Sequence, residues 1–280
     1  MAHAYTPGLR VTGQTVIRKT RRLPLKGEVV VTTGTELKAN QVVARTALPG
    51  NVSTVNVANV LGVPPADVPA CMLKQEGDPV KKDEPIAQSK SLFGLFKSTA
   101  KANTTGTIET ISAVTGQVAL REPAIPVEIE AYVDGKIVEV LPEEGVVVET
   151  HGALIQGIFG IGGEVVGPLV LAVDRADASA TPDMLKDVKG KVVVVGAQAT
   201  HAVIQKAKEL GAVAVVAGGM DDADLRRILG FDLGVAITGS EDFGVTVVTT
   251  EGFGSLPIAN KTFELLKSLA GKQASVNGAT

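Results

Sequence analysis

An eleven-residue motif that occurs twice constrains the fold of this 280-residue chain more than any other feature. Residues 34–44 and residues 77–87 both follow the pattern G-x-x-[LV]-K-x-[ND]-[QE]-x-[VI]-A. In each copy a glycine opens a turn, a branched residue points inward, and a short strand ends in an alanine where backbones approach closely. The repeat predicts a duplicated structure of short strands arranged around tight turns.

A second repeat is interleaved with the first. A glycine followed by alternating branched residues occurs at residues 50–55, 106–111 and 135–140. Alternation of isoleucine or valine with threonine, glutamate or lysine is typical of half-buried strands. We therefore expect the first half of the chain to be β-rich.

Residues 76–87 and 102–111 are similar to the two half-motifs of biotinyl and lipoyl domains. The same half-motifs occur in the wider barrel-sandwich hybrid group, which includes the N-terminal domain of the C subunit of Rnf-type electron-transport complexes. The resemblance covers residues 24–150. It implies a duplicated barrel-sandwich hybrid whose halves are related by a pseudo-twofold axis, and it says little about function.

The hairpin between the half-motifs carries the modified lysine in biotinyl domains. Here residues 89–98 contain Lys90 and Lys97, no methionine, and an apolar run around a glycine. Counting back from Gly106 puts the carrier position near Leu95, so the resemblance implies a hairpin without the carrier lysine. Modification of Lys97 stays open as an alternative.

The apolar run in that hairpin is the predicted interaction site. If it faces solvent it is a docking anchor for a partner or a second copy, and if it folds under it belongs to the core beneath the first repeat. Both alternatives stay open from the sequence. The residues of this run are Leu92, Phe93, Leu95 and Phe96.

From about residue 181 the pattern changes to alternating strands and helices. A valine-rich strand at 189–196, an amphipathic helix at 200–210 and a strand at 212–217 predict a βαβ unit. This stretch resembles a protease-associated or swivelling α/β domain. The predicted fold is thus multidomain β plus α/β, a duplicated barrel-sandwich hybrid followed by a small α/β domain. The predicted segments are an N-terminal arm (1–23), the duplicated hybrid (24–125), a further β-rich segment with a linker (126–180) and the α/β domain (181–280).

Two glycine-containing segments are candidate nucleotide or anion sites. Residues 158–164 resemble the glycine-rich nucleotide-binding segment of the Rnf C subunit, and consecutive glycine amides can hold an anion. A glycine-rich connection between strands is the alternative. Residues 196–201 follow a strand and open a helix, where amides can also hold an anion, although a plain N-cap explains them as well. The residues concerned are Gly160, Gly162, Gly163, Gly196 and Thr200.

The titratable residues form no recognisable catalytic or metal-binding pattern. The three histidines are far apart in sequence, and the acidic residues at 220–224 and 240–242 lack the spacing of a calcium loop. The basic run at residues 18–22 either holds nucleic acid or an acidic partner, or protects an exposed edge strand with cations. We predict no metal site and no cofactor.

Composition limits the partners and the compartment. The net charge of −3 gives no attraction to nucleic acid or anionic membranes, and the single cysteine excludes an intrachain disulfide. No apolar run near eighteen residues is present, so we expect no membrane insertion and a cytoplasmic location. We interpret the chain as a non-catalytic binding, scaffold or assembly protein that docks partners through its β-sandwich unit. The alternative is an accessory subunit of a redox or cofactor-dependent enzyme, binding a nucleotide at residues 158–164.

Overall fold

The computed structural model describes residues 9–89, 98–230 and 243–279. Within these residues the chain forms two compact units. Unit 1 comprises residues 9–22, 29–44 and 129–279, and unit 2 comprises residues 23–28 and 45–128. Both units are therefore discontinuous in sequence, whereas the sequence-based segments are consecutive.

The prediction of a β-rich chain is confirmed. Short α-helices, α1 (Val57–Leu61) and α2 (Val68–Cys71), interrupt the strands of unit 2. Up to residue 155 the described strands are β1 (Val11–Arg22), β2 (Glu28–Val29), β3 (Glu36–Leu37), β4 (Val42–Leu48), β5 (Val52–Asn56), β6 (Pro79–Val80), β7 (Pro85–Gln88), β8 (Thr99–Lys101), β9 (Gly106–Ile111), β10 (Gln117–Arg121), β11 (Ile125–Glu130), β12 (Gly135–Leu141) and β13 (Gly145–Ile155).

Each unit contains a four-stranded antiparallel sheet among its described strands. In unit 1 the order is β1-β13-β12-β3, and in unit 2 it is β5-β10-β9-β6. Strands β7 and β8 form a separate antiparallel hairpin, and β11, β4 and β2 form a further sheet in that order. The residues predicted as an N-terminal arm include β1, which is paired with β13 over most of its length.

The two glycines that open the eleven-residue motif adopt the same conformation. Gly34 and Gly77 both have φ of 91°, in the left-handed region that favours glycine. The Gly34 amide donates to the carbonyl of Ile137 at 2.8 Å, and the Gly77 amide donates to the carbonyl of Ile108 at 2.7 Å. Each glycine amide therefore makes the same kind of backbone hydrogen bond, in unit 1 to β12 and in unit 2 to β9.

Glycines also open β9 and β12, where neighbouring backbones leave no room for a side chain. A Cβ added at Gly106 would lie 2.0 Å from the carbonyl oxygen of Arg121, and one added at Gly135 would lie 2.3 Å from that of Glu149. The small residue is required by this close approach. Beyond each glycine the ladder has an irregularity, between Ile137 and Glu139 in β12 and at the matching place in β9.

The C-terminal part of unit 1 contains a six-stranded sheet among the described residues. Its order is β14-β18-β17-β16-β15-β19, with β15 to β18 parallel and both outer strands antiparallel. The strands are β14 (Phe159–Ile161), β15 (Glu164–Leu171), β16 (Val192–Gln198), β17 (Ala214–Met220), β18 (Thr246–Phe253) and β19 (Gln273–Asn277), and the helices are α3 (His201–Glu209), α4 (Asp222–Leu229) and α5 (Asn260–Ser268).

Local sequence explains these central elements. The four valines 192–195 are fully buried, as expected of a parallel strand covered on both faces. Helix α3 begins after Thr200, whose side chain accepts the amide of Val203 at 3.3 Å.

The predicted segment boundary at 180/181 falls between β15 and β16, which pair directly in parallel. The sheet thus takes strands from both sides of that boundary.

Separate apolar cores lie beneath these sheets. In unit 2 the core includes Val57, Ile86, Ile108 and Leu120, all at most 1% exposed. In unit 1 one core lies against the N-terminal sheet around Ile137. A second core holds the valines of β16 and the apolar faces of α3, α4 and α5. Burial of such side chains contributes about 1.5–3 kcal/mol each.

Candidate interaction surface

The hairpin β7–β8 in unit 2 is the position of the predicted docking site. Its strands are closed by two hydrogen bonds, from the Ser89 amide to the Ser98 carbonyl and from the Ser98 amide to Ser89 Oγ, both at 3.0 Å. Eight residues, 90–97, connect these serines. The predicted interaction residues Leu92, Phe93, Leu95 and Phe96 and the alternative carrier Lys97 fall in this connection, outside the described residues.

The strands below this connection are anchored in the core of unit 2. Ile86, Ala87 and Ala100 are fully buried. The Leu73 amide donates to the Ile86 carbonyl at 2.8 Å, and Met72 forms a bridge with Ala87. The hairpin is therefore rigidly held at its base.

An ion pair stiffens the turn that leads into β7. Glu84 accepts the Lys81 amide at 2.8 Å and pairs with the Lys74 ammonium at 2.9 Å. Hydrogen bonding to Lys74, then to the Lys81 amide, lowers the pKa of Glu84 below its ordinary value. Glu84 thus remains a carboxylate at neutral pH and fixes the turn.

Unit 2 also exposes apolar side chains. Val114, in the turn between β9 and β10, is 87% exposed, and Val60 on α1 is 48% exposed. This turn contacts α1, because the Ala58 amide donates to the Gly116 carbonyl at 3.0 Å. Leu73 is a third exposed residue at 54%. Single exposed valines or leucines are common, so they do not by themselves define an interface.

The glycine-rich segment 158–164 contains strand β14, the connecting residues Gly162 and Gly163, and the first residue of β15. Gly160 lies within β14, and a Cβ there would meet the Gly278 carbonyl oxygen at 2.7 Å. Gly162 has φ of 92°, and the carbonyl of Gly163 accepts the Thr246 hydroxyl at 2.9 Å. Gly162 and Gly163 connect β14 to β15, which begins at Glu164.

Gly196 and Thr200 also have structural contacts. Gly196 lies inside β16 with φ of 87°, and a Cβ there would lie 1.9 Å from the Ala178 carbonyl oxygen. It is packed against a neighbouring backbone within the sheet. The Thr200 side chain caps α3 through Val203. The two predicted anion-site residues thus serve sheet packing and helix capping.

The other titratable candidates lie apart. His151 is exposed in β13. His201 opens α3, and its Nε2 lies 3.5 Å from the side-chain Nε2 of Gln205. Asp221 accepts the Gln198 side-chain amide at 2.6 Å. No cluster of three or more histidine, cysteine or acidic residues that could hold a metal ion occurs in the part of the chain that the structure describes.

Sequence analysis missed a partly buried cluster around Tyr132. Arg21 donates from Nε to the Glu130 carbonyl at 2.8 Å and pairs with Glu164. Its guanidinium carbon lies 5.3 Å from the centre of the Tyr132 ring, and the Lys19 ammonium lies 5.5 Å from it. Burial, then the Glu164 charge, raises the pKa of Tyr132 well above its ordinary value. The sequence signals available for this cluster were the basic run at residues 18–22 and Glu164, at the end of the glycine-rich segment.

Within the described residues the chain is β-rich and forms two compact units. Comparison with protein-family models, with curated proteins and with solved structures finds no match to this chain. None of the described helices combines the length and the apolar character that crossing a bilayer requires.

Proposed function

We propose that this chain is a non-catalytic binding or assembly protein that docks a protein partner, or a second copy, through the tip of the β7–β8 hairpin. The observation that carries the proposal is the pair of hydrogen bonds between Ser89 and Ser98. The eight residues between these serines include two leucines and two phenylalanines. Large apolar side chains presented from a rigid base are the usual anchors of protein interfaces.

The proposal includes a nested duplication of the barrel-sandwich type. Three correspondences support it: the shared sheet order, the matching glycine turns at Gly34 and Gly77, and the close approaches at Gly106 and Gly135. In this scheme strands β4 and β11 correspond to strands β7 and β8. Residues 49–124, which form most of unit 2, are inserted in the sequence between β4 and β11.

The duplication explains why one tip is available for docking. In the sequence the second copy is inserted between β4 and β11 of the first, whereas β7 and β8 of the second copy are joined by residues 89–98 alone. The C-terminal sheet with α3, α4 and α5 completes the proposed architecture as a small α/β domain. The cytoplasm is the proposed location.

The alternative function, nucleotide binding at residues 158–164, has weaker support. The Gly163 carbonyl is engaged by Thr246, and Gly160 packs on Gly278. Glu164 adds a carboxylate at the end of the segment, where a phosphate would be repelled. No described contact favours this alternative over a strand connection.

The test is the double substitution Phe93→Ser with Phe96→Ser, with Val114→Ser as a matched control. Val114 is a solvent-exposed apolar residue of the same unit. Affinity capture from extracts of the source cells, with the captured protein identified and rebound in purified form, should succeed for the wild type and for Val114→Ser. The double variant should lose the partner, or its self-association in light scattering, with an unchanged Tm. A lower Tm with unchanged association contradicts the proposal, because these side chains are then core.

A further inference from the structure

Among the described strands, β1 is a long edge strand with one side open. It is twelve residues long and stands at the end of its sheet, and β13 is the only strand paired with it among the described residues. Edge strands present unpaired amides and carbonyls that can pair with another chain, so most proteins keep such strands short. The length of β1 therefore requires an explanation.

The regular part of this edge runs from Thr15 to Arg22. Pairing with β13 is irregular between Thr12 and Thr15, and it is continuous from Thr15, opposite Gly152, to Arg22, opposite Gly145. A shallow depression follows the first half of this stretch and is lined by residues 15–19 with Arg10 and Leu154. The described structure provides no strand on the open side of these eight residues.

The solvent-facing side chains of this stretch are those of Val16, Thr20 and two arginines. Val16 is 52% exposed, and the side chains of Arg18 and Arg22 are 68% and 62% exposed. Arg18 contacts Glu149 through Nε alone, at 2.8 Å, and Arg22 lies 3.7 Å from Glu144, beyond hydrogen-bond distance. Within the described residues the terminal nitrogens of both guanidiniums have no hydrogen-bond acceptor, so they can bind further carboxylates.

The charge pattern opposes a second copy of this chain as the occupant. A symmetric antiparallel pair centred on residues 15–22 would place Arg18 opposite Arg18, or Lys19 opposite Lys19, of the other copy. Like charges directly opposite each other destabilise a sheet. An acidic strand, in contrast, would place carboxylates beside Arg18 and Arg22, which share one face four residues apart.

We propose that residues Thr15–Arg22 of β1 bind an extended acidic segment of another protein by strand addition, with carboxylates at alternating positions paired to Arg18 and Arg22 and main-chain bonds to the open edge. This surface lies in unit 1. The inference goes beyond the proposed docking at the β7–β8 hairpin and does not depend on it.

The test uses a fluorescein-labelled peptide of six Glu-Val repeats, whose alternation puts all carboxylates on one face of a strand. We expect saturable binding by fluorescence anisotropy, slower amide exchange at residues 15–22, and weaker binding at higher salt. Charge reversal in Arg18→Glu with Arg22→Glu should weaken binding at least about tenfold, the factor that a loss of about 1.4 kcal/mol produces. Arg175→Glu, which changes another exposed arginine of unit 1, should leave the affinity unchanged.

The same Glu-Val peptide with every backbone amide N-methylated separates strand addition from charge alone, because it keeps the carboxylates but lacks the amides that an added strand must donate. It should bind at least about tenfold more weakly, which corresponds to a loss of about 1.4 kcal/mol of binding free energy. Equal binding of the two peptides, absence of binding, or an unchanged affinity of the double variant would overturn the inference. Tighter binding of a single-stranded DNA oligonucleotide would overturn it in favour of nucleic acid, and dimerisation through β1 in favour of a second copy. If charge reversal lowers the Tm, Arg18→Gln with Arg22→Gln replaces it.

Discussion

The Arg21 guanidinium and the Glu164 carboxylate form a two-point ion pair, with an Nη1–Oε1 distance of 2.8 Å and an Nη2–Oε2 distance of 2.7 Å. The Arg21 side chain is 15% exposed, and that of Glu164 is 34% exposed. The pair joins the N-terminal sheet of unit 1 to β15 of the C-terminal sheet. It is therefore a strong candidate for a stabilising contact.

Replacement of Arg21 by alanine should destabilise the protein. Loss of charged hydrogen bonds to Glu164 and to the Glu130 carbonyl should lower the free energy of unfolding by about 1.5–3 kcal/mol. Arg18→Ala, which removes a more exposed arginine of the same strand, should change it by no more than about 0.5 kcal/mol. Chemical denaturation of both variants measures the difference. Equal effects would mean that the Arg21 pair adds nothing beyond an ordinary surface contact.

A methyl group at Gly135 should be poorly tolerated. Gly135→Ala places a Cβ 2.3 Å from the Glu149 carbonyl oxygen, so the β12–β13 ladder must shift, at a cost of about 1–3 kcal/mol or more. Gly152→Ala in β13 is the control, because no heavy atom lies within 4 Å of its added Cβ and its φ is not positive. Thermal melts should show a clear loss for the first variant and little change for the second. A Tm for Gly135→Ala as high as that of the control would contradict the close approach.

Acid should weaken the turn that contains Asp134. Its carboxylate accepts the Lys38 ammonium at 2.8 Å and the Ala39 amide at 2.9 Å, and hydrogen bonding to Lys38 is the main reason that its pKa lies below the ordinary value. A lowered folded-state pKa stabilises the protein above the unfolded-state value of about 3.9. That contribution is lost as the pH falls through the folded-state pKa. In Asp134→Asn the free energy of unfolding, measured by denaturant titration at several pH values, should depend less on pH in this acidic range. An unchanged pH dependence would count against the assignment.

The C-terminal sheet should fail to fold when it is cut at the sequence-based boundary. A fragment of residues 181–280, which begins at that boundary, lacks β14 and β15, although β15 lies between β16 and β19 in the sheet. A fragment of residues 157–280 keeps all the described strands of this sheet. Circular dichroism and light scattering should find the longer fragment folded and the shorter one aggregated or unfolded. A cooperative melt of the shorter fragment would show that β15 is dispensable.

Local patterns in the sequence predicted much of this fold. The helix predicted at 200–210 matches α3, and the strand predicted at 212–217 overlaps β17. Each of these elements has a strong local signal, a cap or a terminal glycine. The short helices α1 and α2 were not predicted, because five or fewer residues carry too little periodicity. An Asn56 side chain that accepts the Asn59 amide marks the start of α1.

Long-range relations could not be predicted in the same way. The pairing of Arg21 with Glu164 spans 143 residues, and nothing near either residue specifies its partner. The contacts of Gly196 and Gly160 likewise depend on which strands become neighbours. For this reason Gly160 was compatible with a loop and Gly196 was predicted at the end of a strand, although each lies inside a strand.

The separation of β1 from β13 in the sequence has a consequence for synthesis on the ribosome. β1 ends at Arg22, and its partner β13 begins at Gly145. At roughly 5–20 residues per second, the intervening stretch takes about 6–25 s to translate. All residues of unit 2 precede Gly145, so unit 2 is complete while β1 still has no partner. During that interval the basic strand of the nascent chain is open on both edges, and unit 1 closes last.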